Sequence, residues 1–247
     1  MHESPMFEAR TYRNLVKTED LTPFRVTIRE TDLFILANRT LESETREAVI
    51  RHRWYIEEYI QRRPEFRTSL VPIRDDHHAP KVVREMLKAS RLANVGPMAS
   101  VAGAIAEFVG RDLMPFSDEV ICENGGDIFI ASSKERVVGI FAGKSPLSLK
   151  VGLRIKPGDT PLGVCSSSGT VGHSMSLGKA DAVCVLSPSA SLADAAATSI
   201  GNLIRGKGDI EKGLNYGNAI RGVKGVLVIV GEAMGIRGGL ELAHISS

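Results

Sequence analysis

The feature that most constrains this chain is the rhythm of its second half. Hydrophobic runs of strand length recur at 119–122, 127–131, 136–142, 149–155, 180–186 and 223–230, and Gly, Ser and Pro separate them. One helical stretch, 192–204, interrupts the series. Strands in succession with few helices between them favour an α+β protein with mixed or antiparallel sheets flanked by helices, and exclude a doubly wound one.

The first half supplies the helices. Residues 9–36 alternate in the manner of strands, and Thr31-Asp32 reads as a turn before Leu33-Phe34-Ile35-Leu36. A long helix follows over 42–62, with Val49, Ile50, Trp54, Ile56 and Ile60 on its apolar face and Pro64 limiting it. Pro80 opens a second helix that runs to about Ala93, where Asn94 and Gly96 end it. The small residues of Met98 to Ala106 read as a closely packed helix. A chain of 247 residues suits a single domain, divisible into subdomains at about 1–95 and 96–247.

Charge and cysteine content narrow the partners. A net charge of +2 gives no electrostatic reason to expect nucleic acid. The arginines from Arg46 to Arg67 are interleaved with glutamates, as on a solvated helix face. Cys122, Cys165 and Cys184 are odd in number and far apart, with no CxxC, which argues against a disulfide framework and a cysteine zinc site. The longest apolar run, 226–230, is too short to cross a membrane, and the first residues carry no signal-peptide pattern. A cytoplasmic protein is expected.

Three stretches could carry chemistry. Asn124-Gly125-Gly126-Asp127 joins two apolar runs as a hairpin turn, and its glycines could also bring backbone N–H groups to a ligand. The segment from Gly163 to Ser174 concentrates hydroxyls, a thiol (Cys165) and an imidazole (His173), with Ser167, Ser168, Gly169 and Thr170 offering donors to phosphate or ribose oxygens. A lone histidine is more often structural than functional. In the third stretch, Asp194 and Thr198 lie four apart on one helix face, a spacing suited to a hard cation such as Mg²⁺. By spacing alone, Ser191-x-x-Asp194 is instead a capping box. A P-loop-like run, 138–145, has three residues between its glycines where a P-loop has four. Asp75-Asp76-His77-His78 reads as a solvated loop.

In their order, these stretches resemble the ApbE superfamily, whose best-known members are FAD:protein FMN transferases. The likeness spans about 94–204 and is nearest to an uncharacterised ApbE-related branch. Gly96-Pro97-Met98-Ala99 resembles that branch's helix start. Asn124-Gly125-Gly126-Asp127 resembles the family's Asn-x-Gly-Gly-Asp turn. Ser167-Ser168-Gly169 resembles its Thr-Ser-Gly, and Ala193-Asp194-Ala195-Ala196-Ala197-Thr198 its metal-binding helix. The resemblance implies an FAD or FMN site built from Gly96, Pro97, Asn124, Gly125, Gly126, Asp127, Ser167, Ser168, Gly169 and Thr170. It also implies Mg²⁺ on Asp194 and Thr198, so metal binding and capping both stay open at Asp194.

Two other functions compete. Relatives in methane-producing archaea are linked to sulfide assimilation, and Cys165, with His173 nearby, could carry a persulfide if its pKa were depressed. Alternatively, the absence of a lysine from 98–107, where the transferases carry Gly-Lys-Gly, suits a non-catalytic subunit with a repurposed pocket. The expected ligand is a small molecule; a homodimer or a protein partner is also expected.

Overall fold

A computed structural model describes residues 20–169 and 178–245. The chain forms β1 (Thr22–Ile28), β2 (Thr31–Ala37), α1 (Glu42–Arg62), α2 (Glu65–Thr68), α3 (Lys81–Ala93) and α4 (Val101–Leu113). Then come β3 (Val120–Asn124), β4 (Asp127–Ala131), β5 (Arg136–Gly139), β6 (Val151–Ile155), β7 (Leu162–Ser167) and β8 (Ala182–Ser187). The last elements are α5 (Ala190–Gly201), α6 (Ile210–Ala219), β9 (Gly225–Val230), β10 (Ala233–Gly238) and β11 (Leu242–His244). Eight strands form one sheet in the order β1-β2-β3-β4-β7-β8-β9-β10, and three form a second in the order β11-β6-β5. Neighbouring strands pair antiparallel throughout both sheets. The α+β reading holds.

The large sheet has two apolar faces. One packs under the helices: α1, α3 and α4 over β1 to β4, and α5 and α6 over β7 to β9. The other face meets the small sheet through Leu36, Ile130, Leu153, Val164, Cys184 and Leu227. A strand buried on both faces reads as continuous apolar sequence, and Gly225-Val226-Leu227-Val228-Ile229-Val230 is such a strand. No single helix among the described residues is long and apolar enough to cross a membrane.

Several local expectations change. The turn before β2 is Arg29-Glu30, with Arg29 at φ 52°, so Thr31 and Asp32 begin the strand. On α1 the buried stripe is Val49, His52, Ile56 and Tyr59, at steps of three and four, whereas Ile50 and Trp54 are each 53% exposed. Leu162 to Ser167, expected to open a serine loop, is a central strand between β4 and β8. α6, β10 and β11 were not expected at all. The part of the N-terminal alternating stretch before Asp20 lies outside the described residues.

Close approach of the helices rests on glycines. A Cβ at Gly163 would lie 2.3 Å from the Ala190 Cα, and one at Gly110 would lie 2.3 Å from the Phe129 ring. We therefore expect Gly163→Ala to force α5 off β7 and cost about 1–3 kcal/mol, lowering Tm by several degrees. Gly158→Ala, where an added Cβ meets nothing within 4 Å, is the control. Equal melting temperatures for the two variants would refute the packing account.

Candidate functional site

The site is built where the N-terminal turns of α4 and α5 meet the ends of β4 and β7. The β3–β4 turn is Gly125-Gly126, both at positive φ (70° and 106°), flanked by the Asn124–Asp127 pair. Two successive left-handed residues make the turn type that matches strand twist, and glycine adopts it without strain. A Cβ on Gly126 would meet nothing within 4 Å, so this turn borders open space. Asn124 reaches the other way and donates through Nδ2 to the Ala102 carbonyl of α4, at 3.1 Å.

The two helices close each other's N-termini. Asp194 on α5 accepts the Gly103 N–H of α4 at 2.9 Å and also bonds the Ala102 N–H. Glu107 on α4 accepts the Ser191 N–H of α5 at 3.3 Å and the Ser189 hydroxyl at 3.1 Å. Each carboxylate sits where orphan N–H groups and the helix dipole favour negative charge. The capping-box reading is thereby corrected. Ser189 caps α5, its hydroxyl accepting from the Leu192 N–H at 3.3 Å, and Asp194 caps α4 instead. Sequence reasoning missed Glu107, although a lone carboxylate within the apolar run 101–109 was a signal of its burial (6% exposed).

Asp127 and Asp194 form a like-charged pair at this junction. Asp127 is buried, and its Oδ1 has no hydrogen-bond partner. Burial pushes its carboxyl well above the ordinary carboxylate range, and the Asp194 charge adds to this. The adjoining Cys165 thiol and a bond from the Ser166 N–H oppose the shift. Asp194 is half-buried, and desolvation pushes its carboxyl up to about 7 against the pull of the two α4 N–H groups. Two carboxyls in one poorly hydrated place resist double ionisation. On the same face of β7, the Ser167 hydroxyl is also buried and without a partner. Thr198 lies one turn along α5 from Asp194, half-buried.

The remaining expected residues divide. Ser168 is half-buried and Gly169 exposed at the end of β7. Gly96 and Pro97 are buried just before α4. A Cβ on Gly96 would lie 1.8 Å from the Ser69 carbonyl oxygen, so its glycine serves packing. Thr170 and His173 lie outside the described residues.

Cys165 is fully buried and donates its thiol to the Ala190 carbonyl at 3.3 Å. Burial, with Asp127 and Asp194 close by, pushes its pKa well up. A reactive thiol needs the opposite environment, so the persulfide reading loses its physical basis.

Among the described residues, no three His, Cys, Asp or Glu side chains converge as a metal cage. Mg²⁺ does not require one, because it commonly keeps several waters and takes one or two carboxylates together with a ligand's phosphates. The unpartnered Asp127 oxygen beside Asp194 fits that donor set.

A family model described as AbpE bacteria matches residues 13–235. The UPF0280 protein of Methanococcus aeolicus is 47% identical over 195 residues, covering 77% of this chain and 79% of the relative. The UPF0280 protein of Methanocaldococcus jannaschii is 40% identical over 220 residues, covering 87% and 89%. Among solved structures, the flavin transferase ApbE of Vibrio cholerae superposes with a TM-score of 0.56 at 13% identity, covering 90% of this chain and 97% of that one. The ApbE protein of Thermotoga maritima gives 0.54 at 14% identity, covering 89% and 97%. At such identities the likeness is one of fold.

Two outcomes follow from the site's electrostatics. Asp194 holds a proton when folded that it lacks when unfolded, between its ordinary pKa of about 4 and its folded value of about 7. Its contribution to stability is therefore lost as pH rises through that window. Asp194→Asn keeps an oxygen to cap α4 and cannot ionise. In EDTA, its Tm should gain on the native chain between pH 4 and 7 by roughly 5 °C, with no further gain above. A constant difference across the range would contradict the shift. Separately, alkylation of Cys165, followed by mass spectrometry, should be much slower than that of free cysteine at neutral pH until denaturant is added.

Proposed function

The chain belongs to the family described as AbpE bacteria, and on that premise we propose that it binds a flavin nucleotide, or a related phosphorylated ligand, through a divalent cation at Asp127 and Asp194. The observation that carries this reading is the Asp127–Asp194 pair, with one carboxylate oxygen buried and unpartnered. Segments 96–106, 122–128, 163–177 and 187–199 contain no lysine or arginine. To a phosphate these segments offer carboxylates and no lysine or arginine. A hard cation resolves both charges together: it neutralises the carboxylates and presents open positions to phosphate oxygens.

Fold likeness supports the ligand class: both solved structures named above are ApbE proteins, and the Vibrio cholerae protein is a flavin transferase. Within this chain, Asp127 and Asp194 would hold Mg²⁺, with the Thr198 hydroxyl one turn further along α5. The Gly125-Gly126 turn borders open space that a ligand could fill, and the Ser167 and Ser168 hydroxyls at the end of β7 would donate to its oxygens. The cation would supply charge neutralisation at the phosphate.

Isothermal titration with FAD and with FMN, in Mg²⁺ and in EDTA, tests the proposal. Micromolar binding, about −8 kcal/mol, is expected in Mg²⁺ and its loss in EDTA. Asp127→Asn and Asp194→Asn should each weaken binding by roughly tenfold or more. Absence of heat in both buffers, or equal affinity in EDTA, would sink it.

A further inference from the structure

A cleft of about 320 Å³ lies between the two sheets, away from the carboxylate pair. Its floor is apolar: Ile155 of β6, Leu162 of β7, Leu186 of β8 and the partly buried Leu240. Its rim carries Arg154, Lys156 and Lys224, with Asp159 and Glu241 interspersed.

This cleft and the carboxylate pair are separated by the pleat of β7. Gly163 and Cys165 turn toward α5, whereas Leu162 and Val164 turn toward the small sheet. Successive residues of a strand face opposite sides, so the two places open on opposite faces. They are also offset along the strand, since Asp127 pairs with Cys165, three steps and roughly 10 Å from Leu162. One small ligand cannot occupy both.

The rim cations are held loosely. Lys156 pairs with Glu241 at 2.7 Å, and Lys224 with Asp159 only at 4.0 Å; all four side chains are exposed. Arg154 pairs with Glu135, outside the cleft lining. Exposed pairs of this kind contribute about 0–1 kcal/mol, so a ligand's anion can replace a carboxylate partner at little cost. Ile155, Leu162 and Leu186 are only 1%, 1% and 5% exposed, so the apolar surface open to a ligand comes from Leu240 and the aliphatic stems of the rim lysines, above that buried layer.

We propose that this cleft is a second ligand site, for a small amphipathic organic anion whose apolar body lies against Leu240 and the lysine stems, above the buried Ile155, Leu162 and Leu186, and whose carboxylate, sulfonate or phosphate head meets Lys156 and Lys224. Cavities of this size between packed layers, with a few polar groups at the mouth, are the usual form of small-molecule sites. The inference is independent of the flavin reading, because it uses the other face of the sheet and no metal ion.

The test uses the full chain in EDTA, titrated with anilinonaphthalenesulfonate and followed by fluorescence. Its neutral analogue phenylnaphthylamine is run in parallel. Saturable binding of one sulfonate per chain is expected. Lys156→Gln combined with Lys224→Gln should weaken it roughly tenfold and leave the neutral analogue unaffected. Both substitutions are at exposed positions, and circular dichroism would verify that the variant folds. Asp194→Asn should bind the sulfonate as the native chain does. No saturable signal up to about 1 mM, or the same sulfonate affinity in the double variant, would overturn the proposal.

Discussion

The structure turns on the reciprocal closure of two helix ends. α4 offers Glu107 to the first turn of α5, and α5 offers Asp194 to the first turn of α4. Neither carboxylate has a lysine or arginine as its main reason for burial, although Arg111 does reach Glu107 at 3.0 Å. Backbone N–H groups and helix dipoles stabilise the negative charge in place of counterions. This exchange demands that the helices nearly touch, and the glycines follow from it. A Cβ on Gly103 would lie 2.3 Å from the Ala190 carbonyl oxygen. The alanines of α5 follow as well, because that helix is buried nearly all round.

Closure of this kind leaves an electrostatic imbalance. Asp194 is drawn to the α4 terminus, which places its charge beside Asp127 at the start of β4. Each dipole satisfied on one side brings a like charge closer on the other. The Cys165 thiol lies against Asp127 and answers part of this, and its burial between β7 and α5, with its proton donated to the Ala190 carbonyl, keeps it neutral. A group chosen for its reactivity would be exposed and flanked by cations, whereas this one is packed and flanked by carboxylates. Thus the thiol that the sequence offered as a persulfide carrier is part of the wall, packed against the buried carboxylates.

How much could be read in advance varied with the locality of the forces involved. α1, α3 and most strands were legible because period and end signals sit within a few residues: Asn94 at φ 55° ends α3, as its place in the sequence predicted. The apolar face of α1 was half misjudged, since Ile50 and Trp54 are apolar by type but lie off the stripe that packs. β7 was missed because Ser166 and Ser167 lower the apparent strand character of a segment buried between β4 and β8. The cap of α5 slipped by two residues because a Ser-x-x-Asp spacing also occurs one step inside the helix.

What the sequence determined by itself was the α+β class, the Gly-Gly hairpin, the family resemblance and the residue types at the site. These depend on periodicity and on backbone permissiveness, which are properties of short segments. Only the tertiary structure decided which helix Asp194 caps, that Glu107 answers it, and that Asp127 stands beside it with an unpartnered oxygen. It also decided that Gly96 serves packing and that Cys165 is held as a neutral thiol. The reason is physical: desolvation and like-charge repulsion act between groups that are adjacent in space while 67 residues apart in the chain, as Asp127 and Asp194 are. No local pattern encodes that meeting.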